Sequence, residues 1–297
     1  WEGLTCELLK YPAVEVSHPM DGEQQGPPEF ACPALVECIA YIVGDLLSQH
    51  GPGALSSLPD CLQVASLAPV PKPPARLDPL NQNLYRGIAV GSIVKRVLTR
   101  IMKTRADNLI ENLGLRAPTQ CGFWEGHGCL DALVTLQHLI DNARYDNAML
   151  WVVFVDFKKA FDKVRRDVLL ERCRNLGIHG PFLQALVMVY DKVLMRVKVN
   201  GRLGETFETH VGTEQGSELS PLLFGVFMDL LHELIQLQVP GAGPVVGNLH
   251  VSNLMYADDV NLISRDPVQM QQLLDCLDVF CQLFDMEVNS FLTSLSI

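Results

Sequence analysis

The sequence has no Cys-x-x-Cys pair, no long uninterrupted apolar run, no internal repeat and no lysine after Lys198. Its nine cysteines are an odd, scattered set, which excludes a zinc knuckle and a disulfide framework and leaves reduced intracellular thiols. Cys173 and Cys276 fall on helical patterns and read as core. The absence of an apolar run of about 18 residues excludes an evident membrane span; the nearest stretch, Pro33 to Leu47, is interrupted by Glu37 and Asp45 and reads as a buried amphipathic helix. The start at Trp1 offers neither an initiator Met nor a charged-then-apolar leader, so the sequence reads as a piece of a longer reading frame. Charged residues are sparse at 19% and apolar ones make up 48%, which excludes a disordered chain. At 297 residues the chain can hold one large domain or two modest ones.

A net charge of −11 argues at first against a nucleic-acid partner. The distribution answers that objection. Between Arg86 and Arg202 there are 19 Lys/Arg against 11 Asp/Glu, whereas the rest of the chain has 4 against 23. A basic middle can follow a phosphate backbone, and acidic ends cannot. Part of this charge is also what a solvated helix face would carry.

Residues 20–31 and 66–80 are rich in Pro and Gly and read as loops, with a helix from about Pro33 to Gln49 between them. Ile88 to Leu113 has apolar residues at helical spacing with Lys95, Arg96, Arg100, Lys103 and Arg105 among them, the pattern of a long basic amphipathic helix. Asp131 to Ala143, Arg166 to Asn175, Pro181 to Asp191 and Asp266 to Phe284 read as further helices. Leu150 to Val155 is a Val- and aromatic-rich run that predicts a buried central strand ending at Asp156. Met195 to Val199 alternates at period two and meets Asn200-Gly201, a hairpin signal, with Thr206 to Val211 as the return strand. Ser220-Pro221 predicts a helix start, Ser as N-cap and Pro as first helical residue. Leu249 to Met255 and Val260 to Ile263 flank Asp258-Asp259 as two short strands. Strands interleaved with helices and hairpins predict an α+β fold with an antiparallel sheet.

Three carboxylate blocks stand out: Phe154-Val-Asp156-Phe-Lys-Lys-Ala-Phe161-Asp162, Gln215-Gly216-Ser-Glu-Leu-Ser220-Pro221 and Tyr256-Ala257-Asp258-Asp259. Taken singly each has an ordinary reading: Asp-Asp is common turn chemistry, Asp162 suits a helix cap, Gln215-Gly216 is a loop and Arg86 a surface charge. Together they suit phosphoryl or nucleotidyl transfer, which needs hard cations held by oxygen ligands. Asp156 at a strand end and Asp258 on a neighbouring hairpin turn would lie within about 5 Å of each other. Asp259 is expected on the opposite side of its strand, as an occasional ligand.

These blocks resemble those of reverse transcriptases, specifically the non-LTR (LINE-type) retrotransposon kind. The resemblance extends from Glu7-Leu-Leu-Lys-Tyr11 through Pro71-Lys72, Leu84-Tyr-Arg86-Gly-Ile88 and Gln120-Cys-Gly122-Phe123 to Met286-Glu-Val-Asn289. It implies a right-hand polymerase with fingers over residues 1–146 and a palm over 147–297, without the helical thumb. It implies RNA-directed DNA synthesis from deoxynucleoside triphosphates on an RNA template and DNA primer, no membrane partner, and residence in the nucleus or cytoplasm. Asp156, Asp258 and Asp259 would hold two Mg²⁺ ions, with Mn²⁺ as a substitute. Phe161 would exclude a 2′-hydroxyl, Gln215 and Gly216 would line the incoming nucleotide, and Arg86 and Lys72 would neutralise its triphosphate.

Three positions depart from the pattern. Trp124 follows Gly122-Phe123 where the family has Arg, Glu218 replaces a Pro, and Leu292 stands where a Lys would protonate leaving pyrophosphate. The tail from Ser290 to Ile297 reads as divergent or frame-shifted sequence. Two alternatives remain open on these residues: a relic that keeps the metal site without turnover, and an RNA-templated RNA polymerase, which Phe161 disfavours.

Overall fold

Val- and aromatic-rich runs become strands and helically spaced apolar runs become the helices that cover them. The computed structural model describes residues 60–72, 84–289 and 293–296, together with Gly44 and Asn81. Apart from Gly44, the helix expected over Pro33–Gln49 lies outside the described residues, as does the position of Leu292.

In chain order, α1 (Asp60–Gln63) runs into β1 (Val64–Pro71), which pairs antiparallel with β2 (Tyr85–Val90). Ser92 caps α2 (Ile93–Asn112) by accepting from the Lys95 backbone N–H at 3.2 Å. Next come α3 (Cys129–Tyr145), β3 (Trp151–Asp156), the single-turn α4 (Ala160–Lys163), α5 (Arg166–Asn175) and α6 (Gly180–Asp191). β4 (Val193–Val199) and β5 (Arg202–Thr209) form a hairpin closed by Asn200 and Gly201, both at positive φ as this turn requires. After α7 (Ser220–Gln238) and the short pair β6 (Val245–Val246) and β7 (Leu249–His250) come β8 (Asn253–Tyr256) and β9 (Asp259–Ser264). The chain then forms α8 (Pro267–Phe284), capped by the Asp266 carboxylate, and β10 (Thr293–Ser296).

Two four-stranded sheets result. One, ordered β10-β3-β9-β8, is antiparallel throughout. The other, β2-β1-β4-β5, joins two antiparallel pairs through a parallel β1–β4 contact. It therefore draws strands from both sides of residue 146.

Strand β3 explains where the first sheet opens. Val153 and Val155 point into the main core, which α7 and α8 fill with the fully buried Phe224, Phe227 and Phe280. Val152 faces the other way, into a second cluster with Leu139 and Ala143 of α3. Further along that second face Phe154 and Asp156 are exposed, so the sheet is covered at one end and bare at the other.

Five expectations are corrected. The loop predicted over 66–80 is strand β1 as far as Pro71, paired with β2 and β4, and residues 73–80 lie outside the described residues. The helix predicted from Ile88 begins only at Ile93, because Ile88 to Val90 pair with Ser66 to Ala68 of β1. Ser220 is the first residue of α7 rather than its cap; Leu219 precedes it and the Ser220 hydroxyl meets Tyr190 Oη at 3.1 Å. Asp162 does not cap α4 but lies within it, after Lys159 in a left-handed conformation. Finally, among the described residues α7 is long and apolar enough, by length and composition, to cross a membrane, with most of that stretch buried in the fold. Its apolarity is that of a core helix, and its buried Asp229 accepts from Arg116 Nε at 2.9 Å.

Candidate active site

Backbone register brings the carboxylates together. Asp156, the last residue of β3, is the cross-strand partner of Asp259, the first residue of β9, and Asp259 also pairs with Tyr256 across the hairpin. Directly opposed residues of an antiparallel pair project from the same face. The expectation that Asp259 turns to the side opposite Asp156 is therefore overturned by the register. Asp258 is carried on the turn itself, behind Ala257 at φ 59°.

The charges feel one another. Asp258 is raised above the usual carboxylate range by burial first, then by the charges of Asp259 and Asp156, while Arg86 pulls it back. Asp259 is raised by burial and by Asp156. Asp156 is fixed at both ends by Asn289, whose backbone N–H donates to the Asp156 carbonyl at 2.7 Å and whose Nδ2 donates to Oδ2 at 3.1 Å.

These groups border a cleft of about 1160 Å³, and seven of the eight site residues expected from the sequence line it: Lys72, Arg86, Asp156, Phe161, Gln215, Gly216 and Asp258. Asp259 does not. Lys158, Lys159, Lys163, Glu287 and Asn289 line the cleft as well, and the sequence had assigned them no role. Glu287 sits 3.7 Å from Lys158 and also pairs with Lys163. Asp162 is raised by burial and drawn back by Lys159 and Lys72.

Phe161 is held between aromatic neighbours. Its ring stacks on Phe224 with centroids 4.0 Å apart and meets Phe123 edge-on at 6.2 Å. The Gln215-Gly216 segment is joined to β2: the Gln215 carbonyl accepts from the Ala89 N–H at 2.6 Å. Gln215 Nε2 donates to Asp162 Oδ1 at 3.4 Å.

Of the departures from the expected pattern, Trp124 and Glu218 do not line this cleft. Glu218 borders a neighbouring groove with Lys103 and Trp124, and lies 3.8 Å from Arg100 Nη1. Trp124 stacks on His127 at 4.2 Å. The basic helix is partly spoken for, since Lys95 is buried in an ion pair with Glu214 and Lys103 pairs with Asp107. Arg96, Arg100 and Arg105 are exposed.

Among the described residues no three His, Cys, Asp or Glu side chains close into a ready-made metal cage. Mg²⁺ is ordinarily held by one or two carboxylates, with phosphates and water completing its shell. Asp156 and Asp258 are a donor set of that kind, hard oxygens whose mutual repulsion a cation relieves.

Comparison with known proteins is consistent across sequence and structure. Residues 70–291 match the reverse transcriptase (RNA-dependent DNA polymerase) family. The chain is 26% identical to a retrovirus-related Pol polyprotein from the type-2 retrotransposable element R2DM of Drosophila melanogaster, over 79% of this chain and 21% of that protein. It is 28% identical to the Pol polyprotein of a type-1 element R2 of Nasonia vitripennis, over 72% of this chain and 20% of that protein. The chain thus spans about a fifth of the length of these relatives. Among solved structures, a C-terminally truncated apo telomerase from Candida tropicalis superposes with a TM-score of 0.58 at 12% identity, covering 82% of this chain and 52% of that one. At that identity the likeness speaks for the fold.

Proposed function

Because this chain belongs to the reverse transcriptase (RNA-dependent DNA polymerase) family, we propose that it is the fingers-and-palm core of a non-LTR retrotransposon RNA-directed DNA polymerase. The observation that carries the reading is the single cleft. Residues from four separate blocks, around Lys72 to Arg86, Asp156 to Phe161, Gln215-Gly216 and Asp258, meet there with carboxylates and cations facing the same space.

Each residue then has a task. Asp156 and Asp258 hold divalent metal, Mg²⁺ or Mn²⁺, with Asp259 beside them. Bound there, two such ions would make the primer 3′-hydroxyl nucleophilic and neutralise charge on the reacting phosphates. Asn289 fixes the Asp156 carboxylate in one orientation. Arg86 and Lys72, which both line the cleft, bind the triphosphate. Phe161, unable to swing because Phe224 and Phe123 pack on it, stands where it excludes a 2′-hydroxyl. Gln215 and Gly216 form the floor under the incoming base pair. An RNA template and DNA primer would run along one face of α2, past the exposed Arg96 and Arg100, which are one turn apart.

The test is primer extension on an RNA template with Mg²⁺ or Mn²⁺, comparing the chain with Asp156→Asn and Asp258→Asn. Metal-dependent DNA synthesis is expected, lowered roughly a hundred- to a thousandfold in either variant, the scale of removing an essential charge-stabilising group. Full activity in either variant overturns the metal assignment. No synthesis by the unaltered chain favours a relic that keeps the fold and the metal site without turnover.

A further inference from the structure

We propose that Gln120 is a positioning residue for Asp258, acting through the backbone of Ala257; the inference rests on the polymerase reading above. Gln120 is fully buried and does not line the cleft. Its Oε1 accepts two backbone N–H groups, from Gly122 at 2.8 Å and from Ala257 at 3.1 Å. Its Nε2 is buried and has no hydrogen-bond partner among the described residues. The amide is therefore held for its oxygen. The reverse orientation would set an NH₂ against two donors.

Ala257 is where that oxygen is needed. It has φ 59°, the left-handed region that side chains with a β-carbon disfavour, and it is the residue immediately before Asp258. The Gln120 bond ties down the N–H of this strained residue and so fixes the direction in which the turn presents Asp258. Gly122 makes the approach possible: a β-carbon there would lie 2.3 Å from the Ala257 nitrogen.

The loop carrying Gln120 is itself anchored. Met255 N–H donates to the Thr119 carbonyl and Cys121 N–H to the Met255 carbonyl, both at 2.8 Å, so the loop extends the edge of β8. Thr119 Oγ1 lies 3.1 Å from His232 Nδ1 and accepts from Asn253 Nδ2 at 3.2 Å. Arg116, at the start of the loop, is in the buried pair with Asp229 of α7. The carboxylate turn is thus braced from α7 through Thr119 and Gln120.

Gln120→Met keeps the side-chain length and removes the acceptor. Three readouts separate positioning from a general structural role. Amide exchange at Ala257 should accelerate while exchange in α7 stays unchanged. Mn²⁺ affinity, read from the electron paramagnetic resonance signal of the free ion, should fall about tenfold, the scale seen when an outer partner of a metal ligand is removed. In primer extension kcat should fall about 10- to 100-fold, with the nucleotide KM within about twofold. Adding Ala257→Gly should recover much of the loss, since glycine adopts the left-handed backbone unaided. If Gln120→Met does not fold, Gly122→Ala, which pushes the loop off Ala257, is expected to give the same pattern. Unchanged Ala257 exchange, or unchanged Mn²⁺ affinity, overturns the proposal. An inactive unaltered chain overturns the polymerase reading instead, and exchange and Mn²⁺ binding, which require no turnover, then still decide the role of Gln120.

Discussion

Gly216 presses against Ala89 so closely that a β-carbon on Gly216 would lie 2.4 Å from the Ala89 carbonyl oxygen. Its φ of +114° is itself a backbone state that L side chains rarely adopt, and the Gln215 carbonyl is hydrogen-bonded to the Ala89 N–H next to it. The loop before α7 and the strand carrying Arg86 therefore move as one wall of the cleft. Gly216→Ala must separate them. We expect a stability loss of about 1–3 kcal/mol from the strained backbone and at least a tenfold drop in nucleotide incorporation, read by thermal melting and primer extension. A variant with unaltered melting and activity would show that this contact does not shape the cleft.

Phe161 is fixed by packing on both sides, stacked on Phe224 at an interplanar angle of 16° and edge-on to Phe123 at 79°. Shortening it should admit a 2′-hydroxyl. Phe161→Val is expected to raise ribonucleotide use relative to deoxynucleotide use by roughly tenfold or more, since a discriminating steric contact is worth about 1–3 kcal/mol. Competitive incorporation of matched nucleotide pairs measures this ratio. Unchanged sugar selectivity removes Phe161 from that role.

What could be read from the sequence was local chemistry. The Val-rich run ending at Asp156, the Asn200-Gly201 hairpin and the helical spacing from Asp266 to Phe284 are local patterns, and each is found. What could not be read depends on distant partners. Ile88 to Val90 fit a helical pattern until β1 claims them as a strand. Lys95 belongs to a basic helix by spacing, yet its partner Glu214 lies 119 positions on. Asn289 and Gln120 reach Asp156 and Ala257 across 133 and 137 positions. The only signal for them was the family resemblance of the stretches around Gln120 and Asn289, which matched a pattern without indicating a task. The ladder register that sets Asp259 opposite Asp156 is likewise a property of the pairing rather than of either strand.

The raised Asp258 carboxyl makes a signed prediction about pH. Burial, then Asp259 and Asp156, make its charged form less favourable in the folded chain than in the unfolded one, where the ordinary value is 3.8. Between that value and the raised one the folded chain holds more protons, so this group's contribution to stability falls as pH rises through the window and is fully lost above it. Asp258→Asn removes the charge. Without divalent metal the variant is expected to melt higher than the unaltered chain at pH 7 to 8, the gap closing toward pH 4. Metal binding runs the other way, because it needs the ionised form: Mn²⁺ affinity should weaken on acidification at a higher pH than an ordinary aspartate would give. Melting curves in chelator and Mn²⁺ titrations across pH check both signs, and a variant that melts lower at neutral pH contradicts the first.

The buried Lys95–Glu214 pair joins α2 to the residue immediately before Gln215, with side chains only 2% and 5% exposed. Removing one member leaves the other charged and without its partner in the interior, a loss of about 3–5 kcal/mol, whereas replacing both with neutral groups of similar size can be nearly neutral. Lys95→Met and Glu214→Gln are therefore each expected to lower the melting temperature substantially, and the double variant to recover most of it. Function should divide differently. If the pair serves only the fold, the double variant regains full nucleotide incorporation along with its stability. If the pair also sets the height of Gln215 in the cleft, the double variant melts like the unaltered chain and yet keeps a raised nucleotide KM. The second outcome is expected, because Glu214 adjoins Gln215 in the chain and its ion pair with Lys95 ties that position to α2. A double-variant cycle scored by melting and by KM separates the two.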